Sequence, residues 1–72
     1  MEYETKEEIM DIIKDYDFKR LMYTFNYVCN CKNNLIGLAK SNKELITSNY
    51  EELITYFTTI ENCIYDRLFE EK

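Results

Sequence analysis

The fold is decided by residues 17–47, which read DFKRLMYTFNYVCNCKNNLIGLAKSNKELIT. On a helix that advances about 100° per residue, the apolar side chains of this stretch fall on two sides. The first side follows the i, i+3, i+4, i+7 spacing of an amphipathic helix, which predicts a face that packs against a core. Its residues are Phe18, Leu21, Met22, Phe25, Val28, Cys29, Leu35, Ile36, Ala39 and Ile46.

The opposite side of the same helix also carries apolar groups. A helix that is apolar on two sides usually has two neighbours, here the two flanking segments of the chain, or one of them and another molecule. Tyrosine is enriched at protein interfaces, where a rigid ring and a hydroxyl are both useful. We therefore predict a protein interface on this side, and the competing interpretation is that the first helix of the chain covers it. The predicted interface residues are Tyr16, Arg20, Tyr23, Tyr27, Leu38 and Leu45.

Capping signals mark where the helices begin. Thr5 with Glu8, and Ser48 with Glu51, match the capping-box pattern that starts a helix. Asp17 is the best N-cap for the middle helix. The sequence therefore predicts helices at about residues 6–15, 18–47 and 49–70, with no element over residues 1–4.

The weakest part of the predicted middle helix is residues 29–34, CNCKNN. Asparagine lowers helix propensity, and Lys32 would fall near the middle of the apolar face. Either the helix continues and Lys32 extends to the edge of that face, or the helix breaks at Asn33-Asn34. We favour continuity, because no Gly or Pro enforces a turn there. Gly37 and the Ser41-Asn42 pair are secondary sites for a bend or an end of the helix.

Length and composition favour a small helical protein. The chain has 72 residues, 46% of them apolar, with no proline and a single glycine, so little is present to form hairpin turns. A chain this short buries only about 60% of the surface that it exposes when unfolded. We therefore predict one domain over residues 1–72, an all-α three-helix bundle with a long central helix, stabilised by self-association with a dimer favoured.

Several classes of function are disfavoured by the residues present. There is no histidine, the commonest general base, and no glycine-rich loop that could hold a phosphate. Cys29 and Cys31 point in different directions on a helix and cannot chelate one ion, while an antiparallel third helix would place Cys63 level with Cys31, where we interpret it as an apolar filler. We therefore predict no enzyme activity, no cofactor and no metal. No apolar run is long enough for a membrane span or a signal peptide, so we expect a cytoplasmic protein with reduced cysteines.

Charge alternates in three blocks along the chain. Residues 1–17 and 44–72 each hold seven acidic and two basic residues, whereas residues 18–43 hold five basic residues and no acidic one. Complementary charge speeds the encounter of proteins and excludes wrong partners. These features predict a non-enzymatic protein that binds and modulates or inhibits a larger protein. The frequent Ile, Asn, Lys, Tyr and Glu against two Arg are typical of an AT-rich genome, which favours a phage, viral or mobile-element origin.

Two alternative functions compete with this prediction. The first is a nucleic-acid-associated regulator, but a net charge of −5 repels phosphate, so we consider nucleic-acid binding the weaker hypothesis. The second alternative is a structural subunit of an assembly. The flank that would contact nucleic acid consists of Lys19, Arg20, Tyr23, Asn26, Tyr27, Asn30 and Asn34.

Overall fold

The computed structural model describes residues 3–70. Within that range the chain forms three α-helices and no strand, which confirms the prediction of a small all-α bundle with a long middle helix. None of these helices is both long and apolar enough to cross a membrane. The elements are α1 (Lys6–Ile13), α2 (Phe18–Ser41), a short 3-10 turn (Lys43–Leu45) and α3 (Ser48–Glu70).

The predicted capping groups stand at the starts of α1 and α2. The Thr5 hydroxyl accepts a hydrogen bond from the Glu8 amide at 3.2 Å, and the Glu8 carboxylate accepts one from the Thr5 amide at 2.9 Å. The Asp17 carboxylate accepts from the Arg20 amide at 2.8 Å. At the start of α3 the cap lies one residue earlier than predicted, because the Thr47 hydroxyl accepts from the Tyr50 amide at 3.3 Å.

Helix α2 runs without interruption through residues 29–34, so the hypothesis of a break at Asn33-Asn34 is wrong. The predicted end at residue 47 is also wrong, because α2 stops at Ser41. Asn42 adopts an extended conformation, and its side chain accepts a hydrogen bond from the Glu44 amide at 3.1 Å, which starts the 3-10 turn. An asparagine side chain that bonds the local backbone competes in this way with helix continuation. Helix α1 likewise ends at Ile13, two residues earlier than predicted.

Helix α3, and not the longer α2, occupies the middle of the bundle, since it packs against both α1 and α2. Of the two alternatives for the neighbours of α2, packing between both flanking helices is therefore not found, and α3 is its main neighbour within the described residues. The core is a cluster of fully buried residues from all three helices, with partly buried aromatic and aliphatic side chains around it. The buried residues of the cluster are Ile9, Ile13, Leu21, Cys63 and Ile64.

Arg67 joins the link between α1 and α2 to the far end of α3. Its guanidinium donates hydrogen bonds to the carbonyl oxygens of Lys14 at 3.3 Å and Tyr16 at 3.1 Å. Carbonyl groups at a helix end lack partners inside the helix and are stabilised by such donors. This contact fixes the α1–α2 link to α3.

The bundle is elongated, with principal extents of 42 × 22 × 15 Å. It exposes 5519 Å², whereas a compact monomer of the same mass exposes about 4,800 Å². Its radius of gyration is 13.5 Å, against about 11 Å for a typical domain of this length. The three helices therefore leave more surface open than a compact fold would.

Candidate protein-interaction surface

The side of α2 that faces away from the core forms a continuous row, which we call the outer stripe. The core side of the same helix is marked by the buried residues Leu21, Val28 and Ala39. The outer stripe lies about 70–170° around the helix from them, and Lys19 borders it, about 20° from Asn30. It consists of Arg20, Tyr23, Tyr27, Asn30, Cys31, Asn34, Leu38 and Ser41.

The large side chains of the outer stripe are exposed to solvent. Tyr23 is 72% exposed, Tyr27 62% and Leu38 59%. The interpretation that the first helix covers these residues is therefore wrong. Helix α1 is eight residues long, and its buried side chains Ile9 and Ile13 pack in the core cluster with residues of α3. Helix α1 therefore does not pack against the outer stripe.

The other predicted interface residues lie at the two ends of the stripe. Tyr16 is half-buried and packs against the core cluster, and the Arg20 guanidinium lies over its ring, 4.1 Å from the centroid. Leu45 lies in the 3-10 turn beyond the end of α2 and is half exposed. The structure thus brings Arg20, Tyr23, Tyr27 and Leu38 onto one face of α2. Tyr16 lies beside this face in contact with Arg20, and Leu45 lies outside the helix.

The outer stripe is nearly uncharged, although the protein as a whole is highly charged. Arg20 carries the single charge among its eight residues. Between the large side chains stand Asn30 and Asn34, both exposed, whose amides can donate and accept hydrogen bonds. The acidic residues of the structure lie on α1, α3 and the connecting segments. This surface is therefore aromatic and neutral-polar in character.

A second polar cluster joins α2 to α3 on the inner side. The Lys32 ammonium lies 2.8 Å from one oxygen of the Glu61 carboxylate, and the Cys29 thiol donates to the other at 2.9 Å. Burial acts to raise the pKa of Glu61, but the two hydrogen bonds and the charge of Lys32 outweigh it and hold that pKa below its ordinary value. Burial, followed by the hydrogen bond to Glu61, raises the pKa of Cys29 to about 11. A thiol that stays protonated is a poor nucleophile and a poor metal ligand, and the contacts of this cluster connect α2 to α3.

Within residues 3–70 the three cysteines are free thiols. Cys63 is fully buried in the core cluster with Ile9 and Ile13, which agrees with its interpretation as an apolar filler, and its sulfur lies 4.0 Å from the Lys6 carbonyl oxygen. Burial raises the pKa of the Cys63 thiol. No group of three or more Cys, Asp or Glu residues in the described part of the chain is placed to hold a metal ion.

Two shallow grooves lie near the start of α3, and sequence patterns did not predict them. One, of about 340 Å³, is mainly apolar and is lined by Leu35, Leu45 and Leu53 among others. The other, of about 490 Å³, is acidic. Tyr3 lines both and stacks on Tyr56 with ring centroids 4.7 Å apart. The sequence carried no signal for this contact, because Tyr3 precedes the first capping group.

Comparisons of the chain with protein-family models, with curated proteins and with solved structures found no match. The function is therefore argued from the geometry of the outer stripe.

Proposed function

We propose that this protein is a non-enzymatic binding protein that docks on a larger protein through the outer stripe of α2 and modulates or inhibits it. The observation that carries the proposal is the exposure of Tyr23, Tyr27 and Leu38 on one helix face. We further propose that it acts in the cytoplasm and has a phage, viral or mobile-element origin, on the compositional grounds given above.

Folding does not account for the outer stripe. Helix α2 contributes Leu21 to the core cluster and buries Val28 and Ala39 on the same side. A solvated helix face normally carries charged or polar residues, whereas this face carries two tyrosines and a leucine. Burying a side chain of this size stabilises a complex by about 1.5–3 kcal/mol. Burial of these side chains by a partner would therefore stabilise a complex, and we propose that this is the role of the outer stripe.

The residue types of the stripe match those that carry binding energy in protein interfaces. Tyr and Arg are enriched among the residues whose truncation costs most affinity. Arg20 is held over the Tyr16 ring, so part of the conformational entropy of its side chain is lost before a partner binds. Tyr23 and Tyr27 lie one turn apart and can enter neighbouring pockets of a partner.

The nucleic-acid alternative has less support from the same surface. Phosphate binding requires several free cations, and each contact contributes to a steep salt dependence. Lys19 and Arg20 are the two cations on or beside the outer stripe, and Lys32, on the inner side, is paired with Glu61. A neutral aromatic surface fits a protein partner better.

The proposal is tested by replacing both tyrosines with serine. We expect Tyr23→Ser with Tyr27→Ser to leave the melting curve and the helical circular dichroism nearly unchanged, since surface substitutions change stability by about 0.5 kcal/mol or less. Affinity capture from the host, followed by binding measurements on each purified candidate, should show partners retained by the wild type and lost by the double variant.

Tyr65→Ser is the matched control, because Tyr65 is an exposed tyrosine on α3. It should retain every partner. Unfolding of the double variant would assign the two tyrosines to the core, and an unchanged set of partners with unchanged affinity would remove the outer stripe as the binding surface.

A further inference from the structure

We infer that the outer stripe of α2 pairs with the same stripe of a second copy of this chain, antiparallel, about a two-fold axis that passes between Asn30 and Cys31. The inference rests on the proposed function, because it uses the same surface. It adds a regulatory state in which two copies cover each other's stripe until a partner displaces one of them.

The chemistry of the stripe is complementary to itself. Its asparagine amides and tyrosine hydroxyls each donate and accept hydrogen bonds, so a second copy presents an acceptor for every kind of donor on the stripe and a donor for every kind of acceptor. A charged interface would repel its own copy, but Arg20 is the single charge on the stripe, and it lies near one end together with Lys19 at the stripe's edge. The acidic helices α1 and α3 do not contribute to the stripe. A second copy is therefore a chemically suitable occupant.

The order of residues along α2 has the pattern that a two-fold axis requires. In such a pair, each residue before the axis meets a residue equally far beyond it, and the contact occurs twice. With the axis between Asn30 and Cys31, Tyr23 lies level with Leu38 of the second copy, and Tyr27 lies level with Asn34 of the second copy. Arg20 then lies level with Ser41, a neutral residue. Tyr23, Tyr27 and Leu38 of one copy therefore each lie level with an uncharged side chain of the second copy.

This axis also lies close to the middle of α2, which runs over Phe18–Ser41. The overlap from Arg20 to Ser41 spans about 33 Å at 1.5 Å per residue. Tyr16 and Leu45 lie just beyond the two ends of α2, and the antiparallel arrangement brings Tyr16 of one copy to the same end as Leu45 of the other. Arg20, Tyr23, Tyr27 and Leu38 lie within the contact, and Tyr16 and Leu45 lie at its ends.

The fold as a whole exposes more surface than a compact monomer of the same mass. The exposed surface of 5519 Å² exceeds that of a compact monomer of this mass by about 700 Å². A standard stable interface buries about 800 Å² on each partner. Pairing through α2 would therefore bring the surface of each copy close to that of an ordinary compact protein.

Cys31 provides a native probe of the arrangement. It lies next to the proposed axis, so the Cys31 side chains of the two copies come close together when the helices pack at about 8–10 Å. The other thiols are not available for cross-linking, since Cys63 is fully buried and Cys29 is hydrogen-bonded to Glu61. A short bismaleimide cross-linker should therefore join two wild-type chains through Cys31, and Cys31→Ser should give no covalent dimer.

The experiment combines this cross-linking with analytical ultracentrifugation of the purified full chain from micromolar to millimolar concentration. We expect a reversible dimer. Asn30→Asp places two carboxylates beside the axis and should weaken the dimer about tenfold or more, because opposed like charges are strongly unfavourable. Asn33→Asp adds the same charge to α2 away from the stripe and should leave the dimer intact.

A monomer at all concentrations would overturn the inference and would leave the proposed function standing, since that function is tested by the loss of partners from the tyrosine variant. A dimer that forms equally with Asn30→Asp and gives no cross-link through Cys31 would place self-association on another face and would also overturn it. A covalent dimer in Cys31→Ser would likewise contradict the proposed axis.

Discussion

The Lys32 ammonium and the Glu61 carboxylate lie 2.8 Å apart between α2 and α3, with 22% and 15% of their side chains exposed. The same carboxylate accepts a hydrogen bond from the Cys29 thiol. A pair with two hydrogen bonds and little solvent around it is worth more than an exposed ion pair. This contact lies at the segment of α2 that contains three asparagines and gives that segment a tertiary reason to remain helical.

Neutralising Glu61 should weaken the fold measurably. In Glu61→Gln the charge is lost, Lys32 keeps its charge in a half-buried position, and Cys29 loses a charged acceptor. We expect the free energy of unfolding to fall by about 1.5–3 kcal/mol, as for hydrogen bonds to charged groups. Urea unfolding followed by circular dichroism measures this. Asp66→Asn is the matched control on the same helix, because Asp66 lies 4.0 Å from Lys6 with both side chains more than half exposed, and it should cost about 0.5 kcal/mol or less. Equal losses for the two variants would contradict the special role of Glu61.

The same carboxylate should make stability depend on pH in acid. The pKa of Glu61 lies below its ordinary value of 4.5 in the folded protein, so the folded state favours the ionised form. The contribution of Glu61 is then complete above pH 4.5 and is lost as the pH falls through the lower folded pKa. We expect the unfolding free energy of the wild type to decline in this acid range, and that of Glu61→Gln to decline less. Parallel pH profiles of the two proteins would show that Glu61 does not titrate as described.

Sequence patterns predicted those features of the fold that depend on residues close together in the chain. The caps Thr5 and Asp17 lie where their side chains can bond the first turn, and the core side of α2 follows from its apolar spacing, with Leu21, Val28 and Ala39 buried. The continuity of α2 was also predictable, since residues 29–34 contain nothing that forces a turn. The end of the helix was not, because it depends on whether the Asn42 side chain bonds the backbone or points into solvent.

The docking of α1 could not be derived from its periodicity. An apolar stripe predicts that a helix face is buried but does not identify the helix that buries it. The face of α1 with Ile9 and Ile13 could have packed on either of the two longer helices. The choice is made by distant contacts, such as the hydrogen bonds from Arg67 to the α1–α2 link. For this reason the sequence placed Tyr23 and Tyr27 on one face correctly but left open whether that face was covered.

The three thiols should differ widely in their rate of alkylation. Burial and the hydrogen bond to Glu61 raise the pKa of Cys29 to about 11, and Cys63 is completely buried, so both hold little thiolate near neutral pH or cannot be reached. At a concentration where ultracentrifugation finds a monomer, we expect iodoacetamide to modify Cys31 first, Cys29 more slowly and Cys63 only after unfolding, as followed by mass spectrometry of the digested protein. Glu61→Gln should accelerate modification of Cys29 relative to Cys31, because the acceptor that disfavours the thiolate is weakened. Cys29 reacting as fast as Cys31 in the wild type would contradict the hydrogen-bonded arrangement.

Gly37 is the one position in α2 where a simple substitution should stabilise the fold. Glycine in a helix interior costs about 1 kcal/mol relative to alanine, because it loses more backbone entropy on folding. Gly37 does not have a positive φ angle, and among the described residues no neighbouring atom lies within 4 Å of where an added Cβ would stand. We therefore expect Gly37→Ala to raise the free energy of unfolding by about 0.5–1 kcal/mol, measured by urea titration at a concentration where ultracentrifugation finds a monomer.

Ala39→Gly is the matched reverse change two residues along, and it should destabilise by more than the helix-propensity difference, because Ala39 is buried and its methyl group is in contact with the protein. A loss of stability in Gly37→Ala would mean that this side of α2 is crowded in the free monomer, contrary to the open surface described here.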